Sequence, residues 1–473
     1  MNKTSKLKNH DWFMTAAILL LMLIGIVVIY SATFTAQTLV EGVGTVNRQL
    51  IFVILGFIIY FLIASVNPIY YKYRLIKVLL FLIIVGLLLV VWLFGDPVRN
   101  TNRWIEWGFI RIQPSEYTKI VLIILNSEIL ARALMQKGKE DSWGSKKNKS
   151  YNLKRFLMDF VSNHPRVYSY ALSFLISAIC IVLILVEPAL GNAAITALIC
   201  LSIFIVSFYK QKYIYGLILI LLLSVNAAGN LFNFSWLYER IGFSLIIENL
   251  DLLLLFLSII AGLLILFFLK LKIIPVICAI VIGISSVFTF SYVWNDVLKD
   301  YQRERVETFF SPEEDPTGAG WQLRQAKIAI GSGRIFGKGF LQGTQSKLRY
   351  LPEAYSDFIF AAFCEEFGLV GALVLFGLYI FLIIRIIKVA LHASDNFGTL
   401  LCFGVAMMIL IHVFINTGMN MGILPITGIP LPLISYGGSS IMVTMIALGF
   451  VQAVNMHREK QSVDKSFKFS VPE

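Results

Sequence analysis

The stretch LPEAYSDFIFAAFCEEFGLVGALVLFGLYIFLIIRIIKVAL, residues 351–391, decides the fold. Beyond Asp357 it runs almost without charge to Leu391, interrupted only by Glu365, Glu366, Arg385 and Lys388. An apolar run of about 20 residues, wound as a helix, crosses a hydrocarbon layer of about 30 Å. The run is long enough to span a membrane, and it keeps acids at and just inside its start. Those acids lose solvation there, so they need partners or a task.

Working outward, comparable runs recur along the whole chain. Of 473 residues 58% are hydrophobic and 14% charged, and the mean hydropathy is +0.79. This composition predicts an all-α, polytopic integral membrane protein forming a single membrane domain over residues 1–473. The predicted spans are 12–33, 48–66, 75–95, 114–134, 166–186, 190–208, 213–230, 252–269, 273–294, 358–388, 398–420 and 433–456. The first follows Lys3, Lys6 and Lys8 but is too long for a signal-peptide core of about 7–15 residues, so it is expected to be retained. Cys180, Cys200, Cys278, Cys364 and Cys402 all lie in apolar runs without CxxC spacing, which suits small core residues better than metal or disulfide frameworks. No repeat of solenoid period is visible.

Twelve spans put both termini on one side, and the basic residues choose the side. Nine Lys and Arg fall between Arg132 and Arg166 inclusive, whereas the short loops assigned outside hold Arg48, Arg99, Arg103, Arg111 and Arg240. The positive-inside rule then makes both termini cytoplasmic. The basic loop 135–165 and the tail 457–473 face the cytoplasm, and the loop 295–357 lies outside, ending at Asp357. The net charge of +12 thus reports topology, and no nucleic-acid partner is implied. The lysine-rich part of 135–165 reads as a solvated topogenic loop before an anionic-lipid or partner site.

Within the outer loop, residues 296–315 carry seven acids and three bases. Residues 316–352 carry no acid and six bases: Arg324, Lys327, Arg334, Lys338, Lys347 and Arg349. Such a patch suits either an anionic substrate headgroup beside a general base or anionic lipid, with WQLRQAKIAI lying flat as an interfacial helix. Charge alone leaves both open. A nucleotide loop is excluded: GRIFGKG has three residues between Gly333 and Gly337, not the four of a P-loop, and Phe340 stands near where Ser or Thr is needed. These glycines are expected in tight turns.

Several ionisable or polar residues stand in or beside apolar runs. Glu116 and Lys119 in QPSEYTK are three apart and share a helix face, with Pro114 suited to the first turn. They read as a pair, either structural or functional. Glu187 in VEPALG sits at a proline break. His412 reads as a hydrogen-bonded core histidine, and Asn416 and Asn420, four apart, as ties to a neighbouring helix. Asp357 with Ser356 begins a helix, where capping is the bland role. The helix dipole favours its ionised form and a dry headgroup region disfavours it, the balance a general base requires. The residues alone leave Asp357 open between cap and base; Glu365 and Glu366, two turns deeper, read as internal partners.

The segments NRWIEWGFIRIQPSEYTK, GAGWQLRQAKIAIGSGRIFGKGFLQGTQSKLRYLPEAYSDFIFAAFCEEFGLVG and NMGILPITGIPLPLISYGGSS resemble the SEDS family of shape, elongation, division and sporulation proteins. The resemblance covers most of the chain, and TGIPLP before SYGGSS looks RodA-like more than FtsW-like. It implies a helical bundle with a core of ten spans, here with an inserted pair over 225–272, and a bacterial cytoplasmic-membrane location. It implies a peptidoglycan glycosyltransferase that polymerises lipid II at the outer face during elongation. Asp357 matches the family's essential aspartate. Glu116 and Lys119 match its paired positions, Arg103 and Trp104 its RW element, and Ser435 the start of SYGGSS. Together with Arg334 and Lys338 these are the expected substrate contacts. The implied partners are lipid II, undecaprenyl-diphosphate-linked glycan, a class B penicillin-binding protein and other elongation-complex membrane proteins. A divalent cation, Mg or Mn, is the candidate cofactor, and no nucleotide is needed because the lipid diphosphate is already activated. Two departures stand out. The family's Gln-Pro-Asp-Leu-Gly reads Glu187, Pro188, Ala189, Leu190, Gly191, which removes that aspartate, and Tyr355-Ser356 replaces the usual His-Thr. The competing functions are a lipid II transporter, an FtsW-like division polymerase and a silent scaffold for the transpeptidase.

Overall fold

The computed structural model describes residues 9–33, 39–94, 97–98, 101–107, 110–135, 165–187, 189–207, 318–348, 350–351 and 353–458. Apart from residues 205–207, all of them belong to one compact unit formed by Met1–Phe204 and Pro312–Glu473. The expected spans 213–230, 252–269 and 273–294, the inserted pair 225–272, the outer loop before Gly318, most of the basic loop 135–165 and the tail beyond Arg458 lie outside the described residues.

The helices are α1 (Trp12–Thr33), α2 (Leu39–Ser65), α3 (Arg74–Phe94), α4 (Pro114–Met135), α5 (Pro165–Val186), α6 (Leu190–Ser207), α7 (Ala319–Gly333), the single turn α8 (Thr344–Lys347), α9 (Ile359–Leu391), α10 (Asn396–Met421) and α11 (Gly438–Met456). Eight of these are long and apolar enough to cross a membrane: α1, α2, α3, α5, α6, α9, α10 and α11. The protein is an all-α, multi-pass membrane bundle. The expected span 114–134 forms α4, whose Glu116, Lys119, Glu128 and Arg132 keep it out of that apolar set.

Two helix starts differ from the sequence reading. The second helix begins at Leu39 rather than near Arg48, because hydropathy marks the bilayer-deep part of a helix and not its polar extension. The last begins at Gly438 rather than near 433. Leu433 takes a positive φ of 66°, which no right-handed helix allows. Two short antiparallel hairpins, β1–β2 (Pro97–Val98, Thr101–Asn102) and β3–β4 (Ile105–Trp107, Ile110–Ile112), precede α4; apolar counting cannot see strands so short.

The expected helix over 358–388 is two helices joined at a break. Gly368 has φ 64° and ψ −162° inside α9, a conformation costly for any residue with a Cβ. The amides and carbonyls freed there pair with residues 334–339: Leu369 N–H donates to Arg334 O at 2.9 Å and Val370 N–H to Ile335 O at 3.0 Å. In return, Lys338 N–H donates to Glu365 O at 2.9 Å and Gly339 N–H to Glu366 O at 3.0 Å. A Cβ at Gly337, itself at φ 81°, would collide with Glu366 O. These glycines therefore serve close backbone approach as well as turning.

Small residues bring α7 onto the start of α9. Ala326, Ala329, Ala354, Phe358, Ala361 and Ala362 form one buried cluster. The short side chains of its alanines let the two backbones close in around the turn that carries Asp357. At the opposite end of the bundle, ionic ties fasten the helix ends. Asp11 caps α1 by accepting from Met14 N–H at 3.0 Å and pairs with Arg385 at 2.6 Å. Lys72 pairs with Asp395, and Glu128 with Arg132 and Lys77.

Candidate functional site

The end of the bundle that holds the α4, α9 and α11 N-termini also holds the C-terminus of α10. Antiparallel packing therefore gathers QPSE, YSDF and SYGGSS at one place. The segment 435–440 ties them together. Ser435 Oγ donates to Ser356 O at 2.7 Å while accepting from Leu431 N–H at 2.7 Å. Tyr436 N–H donates to Tyr355 O at 3.0 Å, and the two tyrosine rings meet edge to face at 5.6 Å. Ser439 Oγ donates to Arg111 O at 2.9 Å and accepts from Gln113 N–H at 3.2 Å, seating the β3–β4 hairpin and the start of α4 on α11. Gln49 of α2 donates to Ser435 O at 3.3 Å.

Asp357 is half-buried in the turn before α9. The capping position of that helix falls to Phe358, without a side-chain cap bond. Ser356 Oγ bonds Glu353 Oε2 at 2.9 Å instead of capping. The bland role considered for Asp357 and Ser356 is thus not the one they take. The carbonyl of Asp357 accepts from Asn416 Nδ2 at 3.0 Å and Asn420 Nδ2 at 3.1 Å. Three consecutive carbonyls, those of 355, 356 and 357, are each taken by a donor from a distant part of the chain.

Glu116 and Lys119 form a pair at 2.8 Å, with the lysine side chain 0% exposed. Lys119 Nζ also donates to His412 Nε2 at 2.9 Å, and His412 Nδ1 lies 2.7 Å from Met408 O. With the Nδ1 proton given to that carbonyl, Nε2 is left as the acceptor for the ammonium. His412 is indeed a hydrogen-bonded core histidine, and its partner is the Glu116–Lys119 pair. Lys119 is thus enclosed between Glu116 and His412. The site therefore uses residues that sequence reasoning left as structural, His412, Asn416 and Asn420, and one it did not single out, Ser439. The readable signal was their spacing: three polar side chains at i, i+4 and i+8 share one face of an apolar helix.

Glu365 and Glu366 are internal partners. Glu365, 0% exposed, receives Lys338 Nζ at 2.7 Å, Thr344 N–H at 2.8 Å and Thr344 Oγ–H at 2.9 Å. Glu366 accepts from Ser31 Oγ of α1. Lys338 is thus already paired, whereas Arg334 is exposed at φ 49°. Arg103 and Trp104, half-buried, lie between β2 and β3. Ser435 is 1% exposed with its hydroxyl engaged on both sides. Glu187, 1% exposed, has neither carboxylate oxygen hydrogen-bonded among the described residues. Burial pushes its carboxyl up to about 8 against the opposing charge of Arg103. Ala189, where the family's aspartate would stand, is buried. Just beyond it, a Cβ on Gly191 would come within 2.8 Å of Thr427 O, so this turn packs tightly on the 427 loop. Among the described residues, no three His, Cys, Asp or Glu side chains converge to hold a metal ion.

Comparison with known proteins adds the following. The family described as cell cycle proteins, covering FtsW, RodA and SpoVE, matches residues 11–242 and 231–460. The chain is 30% identical over 447 residues to peptidoglycan glycosyltransferase MrdB of Escherichia coli (strain K12), covering 94% of each. It is 30% identical over 468 residues to peptidoglycan glycosyltransferase RodA of Treponema pallidum (strain Nichols), covering 94% of this chain and 98% of that one. Its fold is similar to a chain from a solved peptidoglycan synthase complex that coordinates polymerization and crosslinking, with TM-score 0.59, 23% identity and coverage of 95% and 99%.

Proposed function

This chain belongs to the FtsW, RodA and SpoVE family of cell cycle proteins, and from that premise we propose that it polymerises lipid II into glycan strands at the outer face of the bacterial cytoplasmic membrane. The two similar relatives of known activity are peptidoglycan glycosyltransferases named MrdB and RodA. Together with TGIPLP, they favour service in cell elongation. A class B penicillin-binding protein is the proposed partner, and the likeness to a complex that couples polymerization to crosslinking supports it. Twelve spans with both termini cytoplasmic complete the reading: the eight apolar helices, α4, and three spans beyond the described residues.

In the proposed reaction, the growing glycan on undecaprenyl diphosphate is the donor and lipid II is the acceptor. Asp357 takes the proton from the GlcNAc 4-hydroxyl as that oxygen forms a bond to the donor's anomeric carbon. The bond from that carbon to the diphosphate breaks, and the lipid diphosphate leaves with the electron pair. Arg334, an exposed cation, is proposed to meet the leaving charge, with Lys338 available if its pairing with Glu365 is shared. Arg103 and Trp104 are proposed to bind the headgroup. Lys119 and Glu116 serve from inside, tying α4 to α10, and Ser435 holds backbone. The described residues do not by themselves build a metal site, so the divalent cation is a matter for chelation experiments and no step is routed through it.

The observation that carries this reading is the turn at Asp357, a half-buried carboxyl on a backbone fixed from three directions and relieved of capping. The test is lipid II polymerisation in detergent by Asp357→Asn with the partner present. Wild-type glycan length would remove Asp357 from the mechanism. In reconstituted vesicles, headgroup translocation without polymer would support the transporter instead.

A further inference from the structure

Helix α9 starts just after Asp357, with Phe358 at the capping position. In a helix capped one residue earlier, Ala361 N–H would donate to Asp357 O, four residues back. Here the carboxamide of Asn420 stands between those two groups. Ala361 N–H is shared between Asn420 Oδ1 and Phe358 O, each at 3.1 Å, and Asn420 Nδ2 donates to Asp357 O at 3.1 Å. The amide's second hydrogen goes to Asn416 O at 2.8 Å. Its orientation is chemically determined: both neighbours of the nitrogen are carbonyls, and the neighbour of the oxygen is an N–H. Asn416 spends its two hydrogens on Asp357 O at 3.0 Å and Ile429 O at 2.7 Å. Both asparagines are 0% exposed.

Two buried carboxamides on one backbone carbonyl is a costly arrangement if its only purpose is to begin a helix. Direct pairing of Ala361 with Asp357 would satisfy the same groups without them. Direct pairing would also make Asp357 the capping residue, and its carboxyl would then be drawn onto the free amides of the first turn. With Asn420 inserted, capping passes to Phe358, and residue 357 stays outside the helix. The carbonyls before it are held as well, by Ser435 and Tyr436.

We propose that Asn420, with Asn416, is a positioning residue for Asp357: by standing between Asp357 O and Ala361 N–H it keeps the aspartate out of the helix cap and fixes the direction in which its carboxyl leaves the backbone. The inference rests on the reading of Asp357 as the general base. Asn420→Asp is the sharpest variant, because it keeps the shape and the bond from Ala361 N–H while replacing the donor to Asp357 O with an acceptor.

The experiment measures kcat and KM for lipid II, with the partner transpeptidase present, for the full chain and for Asn420→Asp, Asn416→Asp, Asp357→Asn and the double variant Asn420→Asp/Asp357→Asn. Misplacing a reacting group by about 1 Å costs on the order of 10²-fold. We expect kcat to fall by about that factor in Asn420→Asp while KM stays within about threefold, because substrate contacts are untouched. The double variant should be no slower than Asp357→Asn alone, since the two residues act as a unit. Ser435→Ala, which removes only the donor to Ser356 O, should lower kcat by a smaller factor in a normally folded protein, and it keeps the test decisive if the asparagine variants fail to fold. Wild-type kcat in folded Asn420→Asp, a loss carried by KM, or a fully additive double variant would each overturn the positioning role. If Asp357→Asn polymerises normally, the base assignment itself is wrong. An inactive Asp357→Asn beside a wild-type Asn420→Asp leaves the base standing and removes only its positioner.

Discussion

Two carboxylates stand at opposite ends of the same short helical stretch, and they are held in opposite ways. Glu365 is enclosed, and its own oxygens are the structure's attachment points, receiving Lys338, Thr344 and Gln345. Asp357, half-buried, is held by its main-chain carbonyl, through Asn416 and Asn420. The difference separates a carboxylate that builds the fold through its own oxygens from one whose backbone the fold holds, as a proposed general base requires. Attachment through the carboxylate oxygens marks the first kind; attachment through the main-chain carbonyl, with the cap position passed to Phe358, marks the second. Glu116, locked against Lys119, which in turn meets His412, belongs with Glu365.

The contrast can be broken most sharply at Asp357. Asp357→Asn should lower the polymerisation rate by about 10²–10⁴-fold, the usual worth of a general base. Its thermal melting in detergent should match that of the unaltered protein. A variant that melted early would move Asp357 into the structural class. Lys119→Met should show the reverse, because removing one partner of a buried pair leaves a charge uncompensated at a cost of about 3–5 kcal/mol. Adding Glu116→Gln to Lys119→Met should recover much of that loss in denaturation measurements, and no recovery would mean that the pair does not act as a unit.

A smaller effect is expected at Glu365→Gln, where charge-assisted bonds to Lys338 and Thr344 weaken. The loss should be about 2–3 kcal/mol, with activity falling only as the folded fraction falls. A large rate loss in well-folded protein would instead place Glu365 beside Asp357. A pH-dependent effect is expected at Glu187. Its carboxyl is raised from 4.5 to about 8 by burial, so the folded state holds a proton that the unfolded state releases. Its contribution is therefore complete below about pH 4.5 and is lost as pH rises through about 8. Glu187→Gln should stabilise the protein at pH 8, by up to about 4–5 kcal/mol from the full shift, and have no such effect at pH 4. A pH-independent difference between the two melting curves would refute the assignment.

Much of this was legible along the chain, and the reason is physical. Transfer of a side chain into hydrocarbon is a local property that sums over consecutive residues, so runs such as Trp12–Thr33 and Asn396–Met421 declare themselves as spans. The pairing of Glu116 with Lys119 was legible too, because helical geometry alone puts i and i+3 on one face. What composition could not register was the break at Gly368, where the surrounding residues are as apolar as any in the helix and only the backbone of 334–339 reveals why the chain can bend.

The sequence by itself determined that this is a multi-pass helical membrane protein and supplied the motifs of its family, including Asp357. Only the tertiary structure decided which polar groups meet. Lys119 met His412, 293 residues away, Lys338 was taken by Glu365, and the Asp357 carbonyl by two asparagines of α10. Hydrogen bonds reach about 3 Å and require direction. Their partners are therefore chosen by how helices pack, a relation between distant segments that no local stretch of residues contains.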